Sequence, residues 1–224
     1  MIREQGKPTM NKHKLPHLVL YVLCGTILVW GVVYANNTIY PIISAQYPLV
    51  HPYLNDIFSD AVLLVAALMP VFWIPAFFGY RLGAVSKHWK LLLGMAACLV
   101  VAPLAYRIFL GDTPFGTNTW FFEGIVVPVA EEGFFRGILL SVLLWGFGRL
   151  YPAGIAERLT IILSTLIFAS AHLNNLGHYP TAFILFQVGF STILGLLFGY
   201  TRVKTGSIYP AMVLHALFNL AGTI

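Results

Sequence analysis

TWFFEGIVVPVAEEGFFRGILLSVLLWGFG, residues 119–148, is an apolar run long enough to cross a bilayer, and Glu131, Glu132 and Arg136 sit in its middle. A charged side chain at the centre of a membrane helix costs roughly 2.5–3.5 kcal/mol on insertion scales, so such residues come with partners and mark functional sites. The competing explanation is a structural charge cluster or an ion pathway. An acid left over once Glu132 and Arg136 pair weighs against it.

Outward from this run the chain stays apolar. Hydrophobic residues make up 58% of its 224 positions and charged residues 9%, with a mean hydropathy of +0.81. A soluble domain carries about a quarter charged residues, so composition excludes that class. Apolar stretches comparable with the roughly 20 residues that span hydrocarbon run at 17–36, 57–80, 91–110, 119–147, 158–174, 179–200 and 206–222. The expected fold is all-α, a polytopic transmembrane helix bundle of about seven spans.

Basic residues give the orientation, because Lys and Arg of short loops collect on the cytoplasmic side. Arg3, Lys7, Lys12 and Lys14 precede the first stretch; Arg81, Lys87 and Lys90 follow the second; Arg149 and Arg158 follow the fourth; Arg202 and Lys204 follow the sixth. Residues 37–56 and 173–178 carry no Lys or Arg, and 107–118 carries only Arg107. The alternation predicts a cytoplasmic N-terminus and a C-terminus outside. The net charge of +5 is then a topology signal, and no nucleic-acid partner is expected.

The first stretch is too long for a signal-peptide core, so it reads as a retained helix. Cys24 and Cys98 both fall inside expected spans, which argues against a disulfide framework or a cysteine metal site. Residues 1–14 read as a cytoplasmic tail and 15–224 as one transmembrane domain.

Helical geometry gives the central charges different roles. Glu132 and Arg136 are four apart, within reach of an ion pair, with the acid in the favourable N-terminal position. Glu131 points about 100° away. Gly133 and Gly137 form a small-x-x-x-small pair that admits a neighbouring backbone, and Pro128 frees a carbonyl one turn earlier. Two later spans add polar groups: Phe168-Ala-Ser-Ala-His172, and His215-Ala-Leu-Phe-Asn219 with His and Asn on one face. A single membrane histidine is as readily a packing residue bonded across helices. Counted along the expected topology, however, Glu131, His172 and His215 all fall between the middle and the outer half of the bilayer.

Glu-Glu-x-x-x-Arg, Phe-x-x-x-His and His-x-x-x-Asn, in that order over residues 119–222, resemble the CAAX protease and bacteriocin-processing (CPBP, also Abi or type II CAAX prenyl endopeptidase) family of intramembrane proteases. The resemblance implies a glutamic-type endopeptidase in which Glu131 and His172 activate water. His215 and Asn219 would stabilise the oxyanion, with Glu132, Arg136 and Phe168 in support. Such chemistry needs a base for water and donors for the tetrahedral oxyanion, both strengthened in an apolar cavity. The family has also been described as metalloproteases, and Glu131, His172 and His215 are the zinc ligands if so. The metal-free form, without cofactor, is preferred: Asn219 beside His215 suits an oxyanion hole, and no His-Glu-x-x-His motif is present.

Gly189-Phe-Ser191 has the form of a serine-protease motif, but Ser191, Gly195 and Gly199 stand at four-residue spacing and read as helix packing. His51, His178, Asp112, Glu123 and Arg107 read as interfacial, with His178 and Glu123 within range of a substrate. The expected partners are membrane lipid and a membrane-associated or tail-anchored protein or peptide cut near its C-terminus. The expected location is a bacterial plasma (inner) membrane, multi-pass. A non-enzymatic immunity or transport protein is the alternative class. Paired broken helices in related halves, frequent in transporters, are not evident.

Overall fold

The computed structural model describes residues 75–110, 120–176 and 180–223, together with positions 31, 34, 38, 61, 63–65, 67, 68 and 72. Regular structure among them is helical. α1 spans Trp89–Leu110. A segmented helix follows: a π turn Phe122–Val126, α2 Val127–Glu132, a second π stretch Gly133–Leu139, and α3 Leu140–Phe147. α4 covers Ala153–Ala171 and runs into a 3-10 turn His172–Asn175. α5 is Thr181–Thr205 and α6 is Tyr209–Thr223.

Local sequence sets these limits. Pro152 and Pro180, held at extended ψ of 148° and 134°, precede α4 and α5 as fixed N-terminal entries. α5 ends where Gly206 takes φ +68°, which lets its N–H close on Arg202 O at 2.9 Å. Between the segments of residues 122–147 every junction keeps right-handed helical angles, so the helix is continuous and changes only its winding. π segments concentrate at functional sites, and here two of them flank the acidic pair.

α4 lies along α5, α1 along α6, and α3 against α4. One core gathers Phe134, Phe135, Leu139, Leu143 and Phe168; a second gathers Met95, Leu99, Leu194, Phe198, Ala211 and Leu214. The small-residue spacings do the packing expected of them. A Cβ at Gly133 would lie 2.6 Å from Ala67 Cβ, at Gly195 2.7 Å from Thr165 Cγ2, and at Gly199 3.2 Å from Ile161 Cγ2. Ser191, in the same ladder, is buried.

Five described helical units coincide with the last five apolar stretches. Two of them, Ala153–Asn175 and Thr181–Thr205, are long and apolar enough to cross a membrane by length and composition. The first stretch and the 1–14 tail lie outside the described residues, apart from positions 31 and 34. The second stretch was expected to run to residue 80, but the chain turns at Pro75–Gly79 and closes with Tyr80 N–H on Pro75 O at 2.9 Å. Proline and Gly79 (φ +83°) account for the earlier stop.

Four basic residues expected in loops are helical: Lys90 belongs to α1, Arg158 to α4, and Arg202 and Lys204 to α5. Arg202 is buried, donating to Phe77 O at 3.2 Å and Ser141 Oγ at 3.1 Å, so it ties helices together rather than marking a loop.

Candidate active site

Glu132 lies at the end of α2, just before the second π stretch, and is fully buried. Its Oε1 is the hub of the site. Arg136 Nη1 stands 3.1 Å away along the same helix, and His215 Nδ1 stands 3.0 Å away from α6. A carboxylate oxygen can only accept from that imidazole nitrogen, so Nδ1 carries the proton and Nε2 is presented elsewhere. It faces Glu131: His215 Nε2 is 3.8 Å from Glu131 Oε2. Glu131 is the more open of the two acids, at 18% side-chain exposure against 0% for Glu132. The adjacent carboxylates therefore contact opposite nitrogens of one histidine.

Aromatic rings fix the cations. The Arg136 guanidinium lies 4.2 Å from the Phe168 ring centre and 5.6 Å from that of Phe198, between the two cores. Cation–ring attraction of this kind is worth about 2 kcal/mol where water is absent. Phe198 also stacks on His215, with ring centres 5.5 Å apart and planes 28° from parallel. Phe168 meets His172 edge-on at 5.1 Å. His172 is the first residue of the 3-10 turn, and its Nδ1 lies 3.3 Å from Phe168 O, which leaves Nε2 for the site. Asn175, at the end of that turn, donates to Gln187 Oε1 of α5 at 3.1 Å and so ties the turn down.

Asn219, one turn beyond His215, is occupied. Its Nδ2 donates to Glu123 O at 3.0 Å and lies 3.4 Å from Glu123 Oε2. This amide, expected at an oxyanion, is thus engaged by a contact that sequence reading did not anticipate. Glu123 had been placed at the membrane interface; the structure sets it against α6. Its signal was present, an acid eight residues before Glu131, but a regular helix does not align those positions. Phe198 carried no signal beyond its apolar character.

Glu131, Glu132, Arg136, His215, His172 and Phe168 therefore share one linked set of contacts, and Asn219, one turn from His215 on α6, is held on Glu123. A zinc cage is a different matter. Among the described residues no three His, Cys, Asp or Glu side chains form a metal-holding group. In the alternative zinc trio of Glu131, His172 and His215, each histidine anchors Nδ1 on an oxygen, the usual arrangement of a metal-bound imidazole, and His215 Nε2 stands 3.8 Å from Glu131 Oε2.

What the arrangement can do is move protons and bind negative charge. It sets an accessible carboxylate beside an imidazole whose other nitrogen is fixed by a buried acid. No curated protein and no solved structure matches the chain. Residues 114–221 match the family model of the type II CAAX prenyl endopeptidase Rce1-like proteins, a range that contains Glu123, Glu131, Glu132, Arg136, Phe168, His172, His215 and Asn219. This is a protease family, and its domain contains all three motifs. Over residues 114–221 the chain is similar to the Rce1-like type II CAAX prenyl endopeptidase family.

Proposed function

We propose that the protein is a metal-free, glutamic-type intramembrane endopeptidase that hydrolyses a peptide bond near the C-terminus of a membrane-associated protein or peptide. The observation that carries this reading is the His215 bridge, Nδ1 on buried Glu132 and Nε2 toward the more accessible Glu131. Glu131 acts as the base on water, with His172 Nε2 as its partner. As an oxyanion donor His215 needs a proton on Nε2 as well as the one that Nδ1 gives to Glu132. Asn219 supplies a second donor through the N–H whose contact with Glu123 Oε2 is long, at 3.4 Å. Glu132, Arg136 and Phe168 hold the frame. The protein is multi-pass in a bacterial inner membrane, with a cytoplasmic N-terminus and a C-terminus outside.

The test uses purified protein in liposomes with two internally quenched peptides, one ending in a farnesylated CAAX tail and one in an apolar unprenylated tail. Glu131→Gln and His172→Ala are each expected to lower kcat by about 10²–10⁴, the usual contribution of a positioned acid or base, while a zinc chelator leaves the wild type unaffected. Chelator sensitivity would replace the metal-free mechanism, and wild-type cleavage by both variants would remove the assignment of base and partner.

A further inference from the structure

The hold on Asn219 is built by the main chain. In the π turn, Val127 N–H donates to Phe122 O, five residues back. In an α-helix that same N–H would serve Glu123 O, four residues back. The next candidate, in π register, is residue 128, and Pro128 has no N–H. Glu123 O is thus denied both of the amides that continued winding would offer it. Asn219 Nδ2 takes the place, at 3.0 Å. Because a carbonyl can only accept, this contact also fixes which end of the Asn219 amide points where.

The same turn sets the alignment. Residues eight apart on an α-helix diverge by about 80°, and one residue absorbed by a π turn reduces this to about 20°. Glu123 is therefore brought onto the face of Glu131, while His215 and Asn219, four apart on α6, face them as two successive rungs. The upper rung is the acid–imidazole contact; the lower is the Glu123–Asn219 contact.

We propose that Pro128 and Glu123 are positioning residues for Asn219: the proline-terminated π turn keeps one backbone carbonyl open to anchor the amide, and the Glu123 carboxylate holds its second N–H until an oxyanion displaces it. This rests on the oxyanion role given to Asn219 above. An anchored amide needs no reorientation as charge develops, which is what makes preorganised donors effective.

The first experiment is independent of substrate. In full-length protein carrying 15N-asparagine in lipid nanodiscs, the Asn219 side-chain amide is identified by its loss in Asn219→Ala, and its solvent exchange is measured. Pro128→Ala supplies an N–H that competes for Glu123 O, and exchange at Asn219 is expected to accelerate at least about tenfold. Unchanged exchange overturns the anchor. With the quenched peptides, Pro128→Ala and Glu123→Leu are each expected to lower kcat with KM little changed, and neither is expected to lower it further in an Asn219→Ala background. Additive losses would mean a merely structural role and overturn the proposal. Glu123→Leu leaves proline and carbonyl intact, so it decides the carboxylate's part even if Pro128→Ala folds poorly. Wild-type cleavage by Asn219→Ala would instead sink the oxyanion role itself, and the exchange result would still judge the anchor.

Discussion

Glu132 accepts two cationic or potentially cationic groups on a single oxygen, and removing either exposes a charge in an apolar interior. Arg136→Leu should destabilise by about 3–5 kcal/mol, the cost of leaving a buried partner uncompensated. Thermal unfolding in detergent, compared with wild type, checks this. Arg136→Lys should recover only part of the loss, because an ammonium lacks the flat face that lies over Phe168 at 4.2 Å. An Arg136→Leu protein as stable as wild type would mean that Glu132 is held by His215 alone. The Glu132–Arg136 pair was legible from four-residue spacing. The His215 bridge was not, since no sequence rule states which of two adjacent acids a histidine on another helix will meet. Nor was the stacking of Phe198, because an apolar residue inside an apolar helix carries no distinguishing mark.

Helix positions in the second half of the chain were readable from apolar runs alone, and their ends were less so. α5 continues to Thr205 because Arg202 finds buried acceptors and Gly206 supplies the left-handed stop; neither fact is visible to a hydropathy window. Arg202 joins three pieces of chain. It reaches Ser141 on α3 and Phe77 O in the 75–80 turn, and a Cβ at Gly79 would overlap its guanidinium. Hydrogen bonds to charged donors contribute about 1.5–3 kcal/mol each. Arg202→Met should therefore loosen the 75–80 turn, seen as faster amide exchange of Ile208, whose N–H bonds Gly79 O at 3.0 Å. Unaltered exchange at Ile208 would show that the turn is held by its backbone contacts alone. The π segments were equally hidden. Pro128, Gly133 and Gly137 hinted at irregularity, yet winding by five rather than four residues is a tertiary outcome, drawn out here by the contacts with Asn219 and Ala67.

Two connections read as cytoplasmic from their charges meet in the structure. Ala84 N–H bonds Thr205 O at 2.7 Å, and Arg81 Nε bonds Gly206 O at 3.2 Å, so the 79–84 segment and the α5–α6 turn lie at the same end of the molecule. That pairing does not depend on the charge count, and it remains when Arg202 is removed from the count as a buried residue. Thr181 stands at the other end of α5, 25 residues long, or roughly 37 Å at 1.5 Å per residue. Single cysteines at Lys87, Lys204 and Thr181, in a chain with Cys24 and Cys98 replaced by serine, should therefore label from two sides. A membrane-impermeant maleimide added to intact cells should reach Thr181→Cys only, and added to inverted vesicles should reach Lys87→Cys and Lys204→Cys. All three labelling from one side would mean that α5 does not cross the bilayer. The same two sides with the order reversed would keep the bundle and turn it over. The outer half of the membrane, where Glu131 and His215 are placed by the charge-based orientation, would then be the cytoplasmic half, and the substrate tail would have to arrive from the cytosol.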